Sequence, residues 1–233
     1  MQALAINMRE DVLAAILAAD KELSRDEPEV AANIGKQLEH MGLSTWSISV
    51  RRRIRDAIAR VQPKSIIQTG AAIGHLTAWI LDYFDGKEGL EKFQIIEEGN
   101  RFAVILTRLC QRYSEVPTNI VVGAPSLLTS ELKAWNISKV GDPPILENSD
   151  VIIVDAPMER LAEDVSSMLP LLNINGVLFT VEPEPPVGDR EEDDPEVVGF
   201  NKWMDLIRDS NETHHIAFAP LFGGTIVAWL SKS

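Results

Sequence analysis

Hydrophobic residues in the first sixty positions recur at the three- and four-residue spacing of helices. Three helices are predicted there, through residues 12–17, from about 28 to 41 and through 50–61. The third has the clearest apolar stripe, formed by Val50, Ile54, Ala57, Ile58 and Val61. Four arginines lie off this stripe, at Arg51, Arg52, Arg53 and Arg55. A solvated basic face is favoured over a nucleic-acid patch, because no aromatic residues lie between the arginines.

After Pro63 the pattern changes to short apolar runs that alternate with helical stretches. Five strands are predicted, at 65–69, 93–96, 119–122, 150–154 and 177–181. Helices are predicted at 75–84, 100–113, 126–135, 160–172 and 196–209, and a closing hairpin at 215–219 and 225–230. This alternation predicts right-handed crossovers and one α/β domain, with a mainly parallel sheet and a helical N-terminal extension. Ligands of such sheets bind beyond the carboxyl ends of the strands.

The composition narrows the class of protein. The 233 residues carry 22 basic and 35 acidic side chains, a formal net charge of −13, and 45% are hydrophobic. One sizeable core is therefore expected, and the acidity argues against a broad nucleic-acid surface. The single cysteine, Cys110, is expected to be buried and inert, which fits a cytoplasmic location. No signal peptide and no apolar run near the ~20 residues of a membrane helix are recognisable.

Residues 182–196 carry much of the negative charge. Eight acidic residues accompany a single base, Arg190, together with four prolines and Gly188. Proline removes backbone donors and like charges repel, so the segment is predicted to be a long exposed loop. It is either a solvated spacer or a lid over the active site.

Small and acidic residues follow four of the predicted strands. In chain order they are Gly70-Ala71-Ala72-Ile73-Gly74, Glu97-Glu98, Gly123-Ala124-Pro125-Ser126 and Asp155. Glycine lets the backbone approach a ligand, and a carboxylate can accept hydrogen bonds from both hydroxyls of a ribose. The chain has neither a Walker lysine nor the third glycine of G-x-G-x-x-G. The pattern therefore predicts a nucleoside pocket without a phosphate grip.

Such a pocket suits S-adenosylmethionine (SAM), and in this order the motifs resemble the class I SAM-dependent methyltransferases. Within that class they are similar to the catechol/caffeoyl-CoA-type O-methyltransferases. The resemblance spans about residues 42–232 and rests on 66–75, 95–97, 122–126, 150–155, 169–172 and 222–225. It implies a Rossmann-like sheet whose last strand is antiparallel. It also implies an N-terminal extension, 1–45, and a SAM-binding region, 46–233, within one structural domain.

The resemblance implies SAM as cofactor and methyl transfer to a small acceptor, with oxygen as the receiving atom. The implied cofactor-binding residues are Gln68, Thr69, Gly70, Ala71, Gly74, His75, Glu97, Glu98, Ala124, Pro125, Ser126 and Asp155. Asp155 is also the candidate catalytic residue, and His75 is a cofactor contact, a helix-start residue or a base. Trp46 either covers the cofactor or packs with the N-terminus. A cytoplasmic homodimer that buries the apolar face of 12–17 is expected, without nucleic-acid or membrane partners.

The chain departs from this family at three positions that bear on catalysis. Gln68 replaces a usual glutamate, and Met158 replaces the lysine that serves as general base in metal-dependent members. Their Asp-Asn pair after the fifth strand becomes Thr180-Val181-Glu182-Pro183, which leaves Glu182 at best. No metal site is therefore predicted. Two alternatives stay open: a catalytically impaired SAM-binding homologue that acts through partners, and an NAD-dependent oxidoreductase, which the missing third glycine disfavours.

Overall fold

A computed structural model describes residues 11–232 of the chain. The helices are α1 (residues 11–17), α2 (Glu29–His40), α3 (Ile48–Val61), α4 (His75–Phe84), α5 (Asn100–Gln111), α6 (Pro125–Ser138), α7 (Met158–Met168) and α8 (Pro195–Ser210). The strands are β1 (Ser65–Thr69), β2 (Lys92–Glu97), β3 (Thr118–Val122), β4 (Ser149–Val154), β5 (Leu172–Val181), β6 (His214–Leu221) and β7 (Gly224–Ser231). A 3₁₀ turn, Leu169–Leu171, follows α7. Among these residues no helix combines the length and the apolar character needed to cross a membrane.

The seven strands form one sheet in the order β3-β2-β1-β4-β5-β7-β6. Strands β1 to β5 pair in parallel, whereas β7 is antiparallel to both of its neighbours. The predicted sheet, mainly parallel with an antiparallel last strand, is confirmed. Thr69 lies opposite both Ile96 and Val154, so the carboxyl ends of the central strands are level with one another. Any ligand bound beyond these ends would contact several strands at once.

Hydrophobic side chains cover both faces of the sheet. One cluster packs helices α1, α2, α3, α4 and α5 against the sheet and includes Ile54, Trp79 and Leu106. The other lies beneath α6, α7 and α8, where the rings of Trp203 and Trp229 meet edge to face at 5.8 Å between centroids. The central strands are apolar on both sides because each side packs against helices.

The N-terminal helices share the main core instead of forming a separate unit. Leu13 and Leu17 of α1 are buried, as are Ala31, Ile34 and Leu38 of α2, and all five belong to the first cluster. The prediction that the apolar face of 12–17 forms a dimer interface is therefore wrong for Leu13 and Leu17. The same chain already covers these side chains.

The predicted solvated basic face of α3 is also wrong. Arg51 and Arg55 are only 5% and 7% exposed, and Arg52 and Arg53 are half-buried. The guanidinium groups of Arg51, Arg53 and Arg55 bind the end of α1 and the segment that leads from it to α2. Arg53 donates to the carbonyl oxygen of Leu17 at 2.7 Å, and Arg55 donates to that of Ser24 at 2.7 Å. The face is polar because it receives backbone carbonyl oxygens, which the spacing of residues along α3 does not reveal.

Candidate active site

A cleft of about 470 Å³ opens at the carboxyl ends of β1, β2, β3 and β4. Its volume falls within the range of small-molecule sites. The cleft is lined by Ser44, Gly70, Ala72, Ile96, Glu97, Glu98, Phe102, Gly123, Pro125, Asp155, Ala156, Pro157, Arg160 and Asp164. The residue directly after each of these four strands thus lies in or beside one cavity, where the sequence placed its candidate pocket.

Backbone hydrogen bonds fix the first residue beyond β1, β3 and β4. The N–H of Gly70 donates to the carbonyl oxygen of Ile96 at 3.1 Å, and that of Asp155 donates to Thr69 at 3.3 Å. The N–H of Gly123 donates to Glu97 at 3.2 Å. These bonds continue the parallel ladders by one residue, so the strand ends enter the cleft with a rigid backbone.

The glycine turn after β1 makes close contacts that a larger residue would prevent. Gly70 has φ +67°, and a Cβ atom there would lie 1.8 Å from the carbonyl oxygen of Asp155. Gly74 has φ +92°, and a Cβ atom there would lie 2.5 Å from a side-chain carbon of Leu109. The first glycine therefore brings two strand ends together, and the second packs the turn against α5.

Glu97 joins two of the loops that surround the cleft. Its Oε2 accepts from the N–H of Ala72 at 2.8 Å, and its Oε1 accepts from the N–H of Gly99 at 2.9 Å. The residue is 7% exposed. Each carboxylate oxygen has a second lone pair, so the group can still accept hydrogen bonds from a ligand in the cleft.

Two further carboxyl groups in the cleft have perturbed pKa values. Burial raises the pKa of Asp155 to about 7, and the charge of Glu97 acts in the same direction. Burial also raises the pKa of Asp164 on α7 to about 6. The nearby guanidinium of Arg160 lowers the pKa of Asp164, while the charge of Glu98 raises it. Perturbed acids that share one cleft are a feature of functional sites.

The lining of the cleft is strongly acidic. Four acids, Glu97, Glu98, Asp155 and Asp164, face one base, Arg160. The guanidinium of Arg160 is already paired with Glu98 at 2.5 Å. The lining of the cleft therefore has no free cation for a phosphate, and its charge favours a ligand that carries positive charge.

A side pocket of about 30 Å³ adjoins the cleft and shares Ser44, Gly70, Ala72 and Asp155 with it. Behind it, the Oε1 atom of Glu27 accepts from Arg51 at 2.8 Å, from His75 at 3.0 Å and from the indole of Trp79 at 3.3 Å. Burial lowers the pKa of His75, as does the charge of Arg51, while Glu27 opposes both. His75 begins α4 and bonds to Glu27, which supports the helix-start interpretation. Trp46 lines the side pocket and also packs against the core, so both of its predicted roles have a contact.

The structure gathers most, but not all, of the predicted site residues. Those that line the cleft or the side pocket are Gln68, Gly70, Ala71, His75, Glu97, Glu98, Pro125 and Asp155. Those that line neither are Thr69, Gly74, Ala124 and Ser126. Gln68 is 2% exposed, and its side-chain oxygen accepts from the hydroxyl of Thr77 at 3.0 Å. Gln68 thus makes a structural hydrogen bond, while its contact with a cofactor stays a prediction.

Sequence reasoning missed several lining residues. Among them, Ser44 precedes α3, while Arg160 and Asp164 lie one helical turn apart on α7. The spacing of Arg160 and Asp164 predicts that they share one face of a helix, but it does not reveal which face borders a cavity. Residues 182–194 form the predicted exposed irregular loop, and none of them lines the cleft.

Metal ligands are not grouped in the part of the chain that the structure describes. Within residues 11–232, no group of three or more His, Cys, Asp or Glu side chains is arranged to hold a metal ion. Asp155 lines the cleft, whereas Glu182 does not. Cys110 is buried, and burial raises the pKa of its thiol, as expected of an inert cysteine.

Comparisons with solved structures identify the fold. The O-methyltransferase TomG from Streptomyces achromogenes, solved with SAM, matches with a TM-score of 0.65 and 15% identity over 88% of this chain and 91% of that one. An O-methyltransferase from Bacillus cereus, solved with SAH, matches with a TM-score of 0.64 and 14% identity over 88% of this chain and 92% of that one. A putative caffeoyl-CoA O-methyltransferase from Staphylococcus aureus matches with a TM-score of 0.65 and 16% identity over 88% of this chain and 93% of that one. No protein-family profile and no curated sequence matches the chain. The chain therefore has the class I methyltransferase fold that its sequence motifs predict.

Proposed function

We propose that this protein binds SAM and transfers its methyl group to an oxygen atom of a small-molecule acceptor. The observation that carries the proposal is the acidic cleft, whose single base is already paired with Glu98. SAM has a sulfonium and an ammonium group, which suit such a lining, whereas the diphosphate of NAD would meet four carboxyl groups. Likeness in fold to O-methyltransferases solved with SAM or SAH supports the same cofactor.

The lining residues suggest a division of roles. The backbone of Gly70 and of the turn after it would contact the adenosine directly. The free lone pairs of Glu97 would accept hydrogen bonds from the ribose hydroxyls. Pro125 and Glu98 would border the base. The other proposed contacts, Gln68, Thr69, Ala71, Gly74, His75, Ala124 and Ser126, would shape the turns around it.

Asp155 is the proposed catalytic residue. When bound, SAM supplies an electrophilic methyl carbon. The acceptor hydroxyl must lose a proton, and a carboxyl group whose pKa is about 7 is suited to receive it at neutral pH. The thioether of Met158, which begins α7, cannot do so.

The proposal extends to a cytoplasmic homodimer without nucleic-acid or membrane partners. The net charge of −13 supports the expectation that the protein does not bind nucleic acid. With Leu13 and Leu17 buried, exposed apolar residues on α5 and the edge strand β3, namely Val104, Ile105 and Val122, are the better candidates for an interface. Sedimentation at tens of micromolar tests the dimer, and a monomer alone would remove it.

Calorimetry with SAM, SAH and NAD⁺ tests the cofactor class. We expect SAM and SAH to bind and NAD⁺ to give no heat of binding. Binding of NAD⁺ without SAM would overturn the proposal in favour of an oxidoreductase. Methyl transfer from labelled SAM to a panel of catechols and other hydroxyl compounds then tests the reaction. SAM binding without turnover of any acceptor would favour the impaired homologue.

Glu97→Ala should weaken SAM binding about 10–150-fold, since a two-point contact with the ribose is worth ~1.5–3 kcal/mol. Glu91→Ala is the matched control, because Glu91 is an exposed acid that pairs with Lys64. Circular dichroism should verify the fold of both variants, since Glu97 also holds the N–H groups of Ala72 and Gly99. Unchanged affinity in a folded Glu97→Ala variant would refute the ribose assignment.

A further inference from the structure

Asp164 has a carboxyl group in the cleft that has no hydrogen-bond partner among residues 11–232. It is 4% exposed and lines the cleft. Within residues 11–232, its carboxyl oxygens accept no hydrogen bond and form no ion pair within 4 Å. Arg160, one turn earlier on α7, pairs with Glu98 instead. Its carboxyl oxygens are not among the fully enclosed side-chain atoms that lack a partner, so they are open to the cleft, where a hydrogen-bond donor of a ligand can reach them.

The topology locates Asp164 at one end of the cleft. Strand order places β3 beyond β2, and Pro125 begins α6 just after β3. Helix α7, which carries Asp164, packs against α6. If Glu97 on β2 receives the ribose, as the proposed function requires, the base lies on the β3 side, between these two helices.

That end of the cleft offers few other acceptors for the amino group of a base. Gly123 and Pro125 have no polar side chain, and Phe102 supplies only an apolar surface. Glu98 is engaged by Arg160. Asp164 differs from Glu98 because it is buried and because neither of its carboxyl oxygens has a partner among the described residues, whereas Glu98 is 41% exposed and paired. Asp164 can accept a hydrogen bond in either protonation state.

We infer that Asp164 is a specificity-determining residue, whose carboxyl oxygen accepts a hydrogen bond from the 6-amino group of the adenine base. The inference rests on the proposed function and adds to it a residue within α7, away from the strand ends. Asp164 would then select the base, a role that neither the glycine turn nor the ribose contact of Glu97 performs.

The test compares two ligands by calorimetry: SAH, and the SAH analogue that has hydrogen in place of the 6-amino group. The wild type should bind SAH about tenfold more tightly than the analogue, the difference expected for one hydrogen bond to a buried carboxyl group. Asp164→Ala should lose about tenfold in affinity for SAH and leave affinity for the analogue unchanged. Asp164→Asn keeps a carbonyl acceptor and should preserve the preference. Glu163→Gln, on the exposed side of the same turn, is the matched control and should behave as wild type.

Three outcomes would overturn the inference. Equal loss of both ligands in Asp164→Ala would indicate a structural role only. Wild type that binds SAH and its analogue equally would show that the amino group is not read, while the proposed function stands. Wild type that binds neither SAM nor SAH would overturn the proposed function and this inference together. Asp164→Leu has a similar side-chain volume and no acceptor, so it decides the matter if Asp164→Ala does not fold: it should bind SAH and the analogue equally, and a retained preference for SAH would overturn the inference.

Discussion

A side chain at position 70 would collide with the backbone at the end of β4. A Cβ atom there would approach the carbonyl oxygen of Asp155 to 1.8 Å, which is too short for any real contact. Because the obstacle is main chain in a buried sheet, rotation of a side chain cannot relieve it. Gly70 is thus required both for its positive φ and for the junction of β1 with β4.

Gly70→Ala should therefore lower the free energy of unfolding well beyond the cost of its backbone conformation. Gly86 provides the matched control, since it has the same φ of +67° and nothing within 4 Å of a Cβ atom placed there. Gly86→Ala should cost about 1–2 kcal/mol, the strain of a left-handed conformation, and Gly70→Ala at least twice that. Urea denaturation measures both. Equal losses would contradict the steric argument.

Asp155 makes the stability of the protein depend on pH. Its pKa is about 7 in the folded chain against 3.8 as the reference, so the folded state retains the proton over that interval. Stability therefore falls as pH rises from about 4 to about 7, because the unfolded state releases this proton over that range whereas the folded state keeps it.

Asp155→Asn should thus be more stable than wild type at pH 8, by about 2 kcal/mol once partial solvent access is allowed for. The difference should shrink to about a quarter of that near pH 4.5 and vanish below pH 3.8. Urea unfolding at both pH values measures it, with the exposed Asp142→Asn as control. A gain that is the same at both pH values would mean that the substitution acts through packing and not through ionisation.

At the scale of elements, α3 clamps the chain that precedes α2. Arg51 pairs with Glu27 at 2.8 Å, Arg55 donates to the carbonyl oxygen of Ser24 at 2.7 Å, and Arg60 pairs with Asp20 at 3.4 Å. Glu27 also accepts from His75 at the start of α4, beside the glycine turn. The N-terminal segment is in this way connected to the wall of the side pocket.

Glu27→Ala should release this segment. The change leaves Arg51 buried without its carboxylate, and it should cost about 2 kcal/mol, less than for a fully buried pair because Glu27 is 22% exposed. Trypsin should then cut faster at Lys21 and Arg25. Asp26→Ala, at an exposed neighbour, should leave the cutting rate unchanged. Equal cutting in both variants would show that Glu27 does not hold the segment.

At the scale of the whole molecule, acidity is concentrated both in the cleft and in the loop after β5. Metal-dependent members of the proposed family have three ligands, and at the corresponding positions of this chain only Asp155 lies in the cleft. Met158 stands where those members have their base. A hard cation would be held mainly by water there.

We therefore expect any SAM-dependent activity to persist in excess EDTA, and catechol methylation to be absent or very slow. Rates with EDTA and with added Mg²⁺ should agree. A Mg²⁺-dependent, EDTA-sensitive catechol methylation that is lost in Asp155→Ala would mean that a metal mechanism operates.

The strands, their alternation with helices and the centre of the candidate site can all be predicted from local sequence pattern. Gly70, Glu97 and Asp155 lie at the ends of apolar runs, and the carboxyl ends of parallel strands converge whatever covers them. These positions could be predicted because strand pattern and turn chemistry are local properties of the chain.

The segments that cover each helix depend on contacts between residues far apart in the chain. A helical stripe identifies the apolar face, but burial of the polar face depends on segments distant in sequence. For this reason Arg51 and Arg55 are buried where solvation was predicted, and Leu13 and Leu17 are covered by the same chain. Asp164 looks like an ordinary surface acid in the sequence, yet it lines the cleft because α7 packs between α6 and α8. Periodicity fixes how residues are arranged around one helix, whereas packing between helices decides which of them a ligand can reach.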